Sequence, residues 1–462
     1  MMPATIAEAG AAFRAKRLSP VELTRACLDR IARLNGQLHA FVKVTEERAL
    51  AGARASEARH AAGAPLGPLD GIPFAHKDIV ATAGIETTCC SRIRTGHVPA
   101  ADGAAASRLA AAGTVLLGKL TTHEFALGGP SFDLPTPPAR NPWDPARFTG
   151  GSSSGSGAAV AAGLVLGATG TDTMGSIRSP AHFCGITGIK PSYGLVGRSG
   201  VFPLAQSLDH VGPMARTAED CALLLQVMAG ADAEDPASAG RAAAGLDTLG
   251  AGLKGLRIGV IRHFHEADNR ASPAMLANLD AALGVFRDLG ATVADVALPP
   301  LAEWHAVAAT IMIAEAHAIH APWLRERFFD YGSLFRERVV LGAAIGSEDY
   351  LRAQRHRRVL CAAMARAFAS HDLLVTVGQP GEAPRIEDVS RYGVFELGSL
   401  AAPFNVTGGP SVSVCTGFGS GDMPTGMQIA GPAFADALVL RAAHAYQQET
   451  EWHRRRPAMA PD

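Results

Sequence analysis

The stretch 150–178, GGSSSGSGAAVAAGLVLGATGTDTMGSIR, constrains this chain more than any other. Two Ser-bearing, Gly-rich turns flank a run of small apolar residues. Gly150, Gly151, Gly155 and Gly157 crowd the first turn, and Gly170 and Gly175 sit in the second. Glycine serves where backbone must approach something closely or take a positive φ. The run between the turns, AAVAAGLVLGA, is rich in Ala with Val and Leu at wider spacing, which predicts a helix packed on every side rather than an amphipathic surface helix. A buried helix that opens from one Ser/Gly loop and leads into another would hold two hydroxyls in fixed places.

Two simpler readings fail on context. A Gly/Ser linker has this composition, but linkers are not followed by a packed apolar helix. Gly151-Ser152-Ser153-Ser154-Gly155 matches the G-x-S-x-G of a nucleophile elbow, with Ser153 as nucleophile. That motif needs a strand directly before it, and RNPWDPARFT carries two prolines and no strand alternation.

Together with GIPFAHKD at 71–78, the stretch resembles the signature of the amidase signature family of serine amidohydrolases: a Gly-Gly-Ser-Ser turn, a small-residue helix, and GTDTxGSIR. The resemblance runs from about residue 15 to near the C-terminus. It implies that Ser176 is the nucleophile, that Ser152 bridges it to Lys77, and that the Gly151–Ser152 peptide is cis. It places the oxyanion hole on the backbone N–H groups of Thr173, Met174 and Gly175. Gly151, Ser153, Asp172 and Arg178 support the site, the last two by fixing the nucleophile loop through hydrogen bonds. Two positions depart from the family pattern: Ser154 stands where Gly is usual, and Met174 replaces the first Gly of the triplet before the nucleophile. Met174 thereby brings a side chain to the mouth of the oxyanion hole, where it shapes the acyl pocket.

The chemistry sets a requirement on the lysine. Serine is a poor base, so Ser152 can activate Ser176 only as a relay to a neutral lysine. Burial penalises the ammonium form and lowers a lysine pKa; Lys77 is therefore expected to be buried without a carboxylate salt bridge. His76 adjoins Lys77, but strand alternation puts the two on opposite sides. His123 and His182 read as core or supporting residues. No HExxH, CxxC or His/Asp cluster has metal-ligand spacing, so neither metal nor cofactor is expected.

Composition bounds the rest. With 48% hydrophobic and 18% charged residues, the 462-residue chain has ample material for a core. A formal charge of −1 gives no electrostatic case for nucleic acid or an anionic membrane. The N-terminus lacks the order of a signal peptide, no apolar run reaches bilayer length, and seven scattered cysteines suit a reducing compartment. The expected location is the cytoplasm.

Element signals alternate along the chain. Ser19-Pro20-Val21-Glu22 is a capping box with Pro at the first helical position, followed by Leu23, Cys27, Ile31 and Leu34 at helical spacing. A second helix covers about 45–62, a short strand enters the core at Lys77, and a helix then a strand fill 104–120. Thr217 caps another helix. Residues 230–254 are the most linker-like. LRIGVI, a helix opening at Ser272-Pro273 with Leu276, Leu279, Leu283 and Phe286 on one face, and ATVADVAL form a βαβ unit. Helices dominate 300–370, DLLVTV, PSVSVC and TGMQIAG are strands, and a helix closes the chain over 434–450. The fold class is α/β: one large domain spanning 1–462, with a mixed twisted sheet sandwiched between helices. Within it, 60–230 is the signature core, 231–395 a variable region covering the pocket, and 396–462 the C-terminal part of the core.

The resemblance implies an amidohydrolase cleaving amides, anilides or carbamates through an acyl-enzyme, with ester or urethane cleavage as a side activity. The aromatic residues of 300–345 suggest a hydrophobic or aryl portion in the substrate. Gly128, Gly129, Met174 and the segment 378–399 are the expected pocket walls. The expected partner is a small-molecule amide or carbamate, with no nucleic acid and no membrane, leaving room for a homodimer. The alternative within the family is the A subunit of a glutamine-dependent tRNA amidotransferase, a glutaminase that needs partner subunits.

Overall fold

A computed structural model of the chain describes residues 2–243, 246–396 and 398–460. Eleven strands form one mixed sheet: β1 (Phe41–Val44), β2 (Pro73–Lys77), β3 (Val115–Leu120), β4 (Gly167–Asp172), β5 (Thr187–Lys190), β6 (His210–Ala215), β7 (Arg257–Val260), β8 (Thr292–Asp295), β9 (Leu373–Val377), β10 (Ser411–Phe418) and β11 (Pro424–Ala430). Their order across the sheet is β1-β3-β2-β4-β6-β5-β10-β11-β9-β7-β8. β2 runs parallel to both β3 and β4, and β7 runs parallel to β8 and β9; the other pairings are antiparallel. Helices cover the sheet, and one continuous apolar core joins them to it. This is the α/β single-domain architecture expected.

Local signals set many element boundaries. Ser19 accepts from the Glu22 N–H while Glu22 reaches back to the Ser19 N–H, and the helix Pro20–Leu38 follows. Thr217 caps Ala218–Met228 through the Asp220 N–H. The βαβ unit is β7, the helix Pro273–Asp288 and β8, with Met275 rather than Leu276 taking the buried place beside Leu279, Leu283 and Phe286. The segment 230–254 is tied down at both ends: Asp235 holds Arg198, and the turn Leu246–Ala251 packs on the closing helix Asp436–Gln448. Residues 244–245 of that segment lie outside the described residues.

The small-residue helix is shorter than its composition suggests. It covers Ser154–Ala161, and all eight residues are buried. Gly163 takes a left-handed φ of +64° and stops it, so the following residues form β4 instead of a last helical turn. Glycines inside the helix allow the close packing: a Cβ on Gly155 would sit 2.4 Å from the Ala40 carbonyl oxygen, and one on Gly157 would sit 2.9 Å from Pro180. β4 therefore lies at the middle of the signature core, between β2 and β6, and delivers the chain into the turn 173–177. Among the described residues no helix is long and apolar enough to cross a membrane, and none of the seven cysteines is bridged.

Candidate active site

Lys77 ends β2, and its register beside β4 brings it to the signature loops. It is fully buried, and its Nζ lies 2.8 Å from Ser152 Oγ and 2.7 Å from Thr171 Oγ1. Among the described residues no carboxylate forms a salt bridge with it. Burial pushes its pKa down to about 7, against a smaller opposing pull from the Asp172 and Asp209 carboxylates. An amine with that balance is substantially neutral at physiological pH and can accept a proton from the adjacent hydroxyl.

The first signature turn is fixed from several sides. The Gly151–Ser152 peptide is cis. The Ser152 carbonyl accepts from the His123 N–H at 3.0 Å. The His123 ring lies so close that a Cβ on Gly151 would fall 2.0 Å from it, which is why only glycine fits there. The ring stacks on Phe148 and bonds the Gly128 carbonyl, so His123 supports the turn. Ser153 Oγ bridges to the backbone of Thr171, joining the first turn to β4. His76 is buried against Thr169, away from Ser152, and His182 bonds the Gly381 carbonyl.

The second turn carries Ser176, half-buried, at the junction between β4 and the helix Arg178–Cys184. Asp172 organises this turn. One carboxylate oxygen accepts from the Gly175 N–H at 2.8 Å, the other from the Ile177 N–H at 3.1 Å. Arg178 forms a two-pronged pair with Asp172 and reaches Gln428 and Asn405. Burial would raise the Asp172 carboxyl, but the Arg178 guanidinium and the Asn405 amide hold it well below the usual carboxylate range. This corrects one expectation: the Gly175 N–H is taken by Asp172 and does not face the oxyanion position. Among the described residues the main-chain N–H groups of Thr173, Met174 and Ser176 have no such acceptor.

A pocket of about 430 Å³ opens over this turn, walled by Gly128, Gly129, Gly151, Met174, Gly175 and Leu400. The aromatic residues of 300–345 are not among its walls. Tyr331 and Phe335 pack with Phe125 and His320 in the core instead, so their number carries no information about the substrate. The pocket contains a charge that no sequence pattern indicated: Arg338, 2% exposed. Its Nε and Nη2 donate to the Arg391 and Ser390 carbonyls, and among the described residues no carboxylate pairs with it. Burial, with Arg391 nearby, pushes its pKa down to about 10, so it remains charged. Asp388 and His305 also line the pocket. Arg338 sits in an ordinary helical run, FRERVVL, and only the packing of distant segments brings it to the pocket lined by Met174 and Gly175.

The profile of the Amidase family matches residues 22–440. The A subunit of glutamyl-tRNA(Gln) amidotransferase from Methylococcus capsulatus is 41% identical over 99% of both chains. A solved structure of a vestigial protein complex tied to the origins of an s-triazine catabolic enzyme is 36% identical over 96% of this chain and 98% of that one, with a TM-score of 0.90. The A subunit of the Thermotoga maritima glutamyl-tRNA(Gln) amidotransferase is 31% identical over 95% of each chain, with a TM-score of 0.81. These relatives overturn the expectation of an enzyme whose partner is a small-molecule amide or carbamate without nucleic acid: they are subunits, and the amidotransferase they belong to is named for a tRNA. Net charge could not reveal this, because the charge of one chain does not report what its assembly holds. By family profile, by identity along almost the whole chain and by fold, the chain belongs to the Amidase family and is a hydrolase of carbon–nitrogen bonds.

Proposed function

We propose that this chain hydrolyses the side-chain amide of glutamine and supplies the ammonia to partner subunits that amidate a tRNA-bound glutamyl group. The observation that carries the reading is Arg338, a buried guanidinium without a carboxylate partner among the described residues, in the pocket that Met174 and Gly175 of the nucleophile turn also line. A buried cation without a counter-ion is costly unless a ligand supplies one, and a planar guanidinium suits a carboxylate. Asp388 at the rim offers a charge for an α-ammonium group. The amidotransferase relatives support the same reading.

The Lys77–Ser152 hydrogen bond supports the following reaction. Neutral Lys77 takes the Ser152 hydroxyl proton while Ser152 takes that of Ser176, and Ser176 Oγ attacks the amide carbon. The N–H groups of Thr173, Met174 and Ser176 stabilise the oxyanion. The relay runs backward to protonate the leaving nitrogen, and water cleaves the acyl-enzyme through the same groups. Asp172 fixes the turn throughout, and Arg338 anchors the substrate's carboxylate.

The test compares ammonia release from L-glutamine and from hexanamide, a neutral amide, by wild type, Ser176→Ala and Arg338→Met. Glutamine should be strongly preferred. Arg338→Met should raise KM for glutamine about tenfold to a hundredfold, the range for losing a hydrogen bond to a charged group, while leaving hexanamide unaffected. Hexanamide turned over as well as glutamine by wild type would refute the reading.

A further inference from the structure

A second cavity, of about 190 Å³, lies next to the catalytic relay and shares no lining residue with the substrate pocket. Thr171 and Thr173, two residues apart, face it, together with Asp209, His210, Arg198 and Glu234. It has room for several waters. Thr171 is the second partner of Lys77 Nζ, at 2.7 Å. Asp209 is half-buried, accepts from the Thr173 hydroxyl at 2.6 Å, and is close enough to Lys77 for its charge to act on it. The mouth carries exposed Glu234, and Asp235, which Arg198 neutralises.

The stoichiometry of the reaction gives these groups something to do. In acylation the Ser176 Oγ–carbon bond forms, the carbon–nitrogen bond breaks, and the Ser176 proton leaves on the nitrogen. In deacylation a water oxygen bonds the carbon and the Oγ–carbon bond breaks. One water proton returns to Ser176; the other leaves the product acid as it ionises, passing to Ser176 Oγ as the Ser176 hydroxyl gives its own to Ser152 and Ser152 gives its own to neutral Lys77. Ammonia handed on as a neutral nucleophile does not remove that proton.

We propose that Thr171 and Asp209 carry the leftover proton from Lys77 through this cavity to solvent. Protonated Lys77 gives its proton to Thr171 Oγ1 as the Thr171 hydroxyl passes its own to a cavity water. Asp209 accepts it from that water and releases it at the mouth beside Glu234, leaving Lys77 neutral for the next cycle. The groups facing Asp209 are suited to this. Arg198 is occupied by Asp235. His210 places Nδ1 at the Leu208 carbonyl and is held neutral by burial and by the Lys190 charge. Thr173 and the Leu204 and Ala205 N–H groups hold the carboxylate in place. Burial outweighs these bonds and pushes the Asp209 pKa up to about 6, where a carboxylate exchanges protons readily near neutrality.

The inference rests on the acyl-enzyme reading of Ser176 but not on glutamine as substrate, so the test uses p-nitroacetanilide, whose released aniline carries away the Ser176 proton but is too weak a base to take up the leftover one. Steady-state turnover is measured for wild type, Asp209→Asn and Asp209→Glu in dilute buffer, with and without added imidazole, which is small enough to enter the cavity. Asp209→Asn should lose at least about tenfold in turnover and recover with imidazole, in line with loss of a proton-transfer group. Asp209→Glu, which keeps a carboxylate at the cavity, should retain most of the turnover without imidazole. No recovery with imidazole, or the same loss in Asp209→Glu, would mean that Asp209 merely holds the oxyanion turn and would overturn the proposal. Should Asp209→Asn fail to fold, Thr171→Ser, which keeps the hydroxyl, should remain active, and Thr171→Val should lose turnover that imidazole restores; equal activity of the two overturns it.

Discussion

Replacing Lys77 with Met should abolish hydrolysis and yet stabilise the protein at neutral pH. Lys77 is fully buried, and its pKa falls from 10.5 to about 7 on folding. Between those values the unfolded chain binds the proton and the folded chain does not, so wild-type stability falls as pH drops from 10.5 towards 7 and levels off below. At 1.36 kcal/mol per tenfold, the cost of holding this lysine is about 4 kcal/mol at pH 7 and about 1 kcal/mol at pH 9.5. Met is similar in length, carries no charge, and forfeits two hydrogen bonds, to Ser152 and Thr171, worth about 1 kcal/mol each. The balance favours Met by about 2 kcal/mol at pH 7 and turns slightly against it at pH 9.5. For 462 residues, at about 2.1 cal/mol/K of unfolding entropy each, that is a rise in Tm of about 2 °C at pH 7 and little or no rise at pH 9.5. Thermal melts of wild type and Lys77→Met at the two pH values measure it. A Tm difference that does not change with pH, or one that favours Met more at pH 9.5, would refute the assignment of Lys77 as a buried, neutral amine.

The same lysine sets the activity profile: kcat/KM should fall about tenfold per pH unit below 7 and level off above, because only the neutral amine can accept the relay proton; a profile flat from pH 5 to 8 would contradict it. Asp172→Asn should be inactive and destabilised by about 3–5 kcal/mol, the cost of breaking a buried pair, since Arg178 would lose its counter-charge and the Gly175 and Ile177 N–H groups their acceptor; denaturant unfolding reads the loss. Gly151→Ala should reduce both activity and stability, because its Cβ would collide with the His123 ring, and a double variant with His123→Ala should recover stability in the same unfolding assay if that collision is the cause.

What the sequence settled by itself is what short-range physics controls. Ser19, Thr217 and Ser272-Pro273 mark helix starts because a cap is made within one turn of chain. The glycines of 150–175 and GIPFAHKD identify the family because backbone contact tolerates nothing larger. A buried lysine without a salt-bridge partner follows from the chemistry alone. Tertiary structure decided the rest, through contacts between residues far apart in the chain. Gly163 ends the small-residue helix early because the chain must enter β4 between β2 and β6, which nothing within the run specifies. The Gly175 N–H turns to Asp172 because Arg178 and Asn405 clamp that carboxylate, Asn405 from 233 residues away, while Gln428, 250 residues from Arg178, accepts from its guanidinium. Arg338 and Asp209 acquire meaning only from the cavities they face. An arginine in a helix reads as a solvated charge until packing removes its water and leaves it without a counter-ion; that desolvation belongs to the assembled core, and no local pattern encodes it.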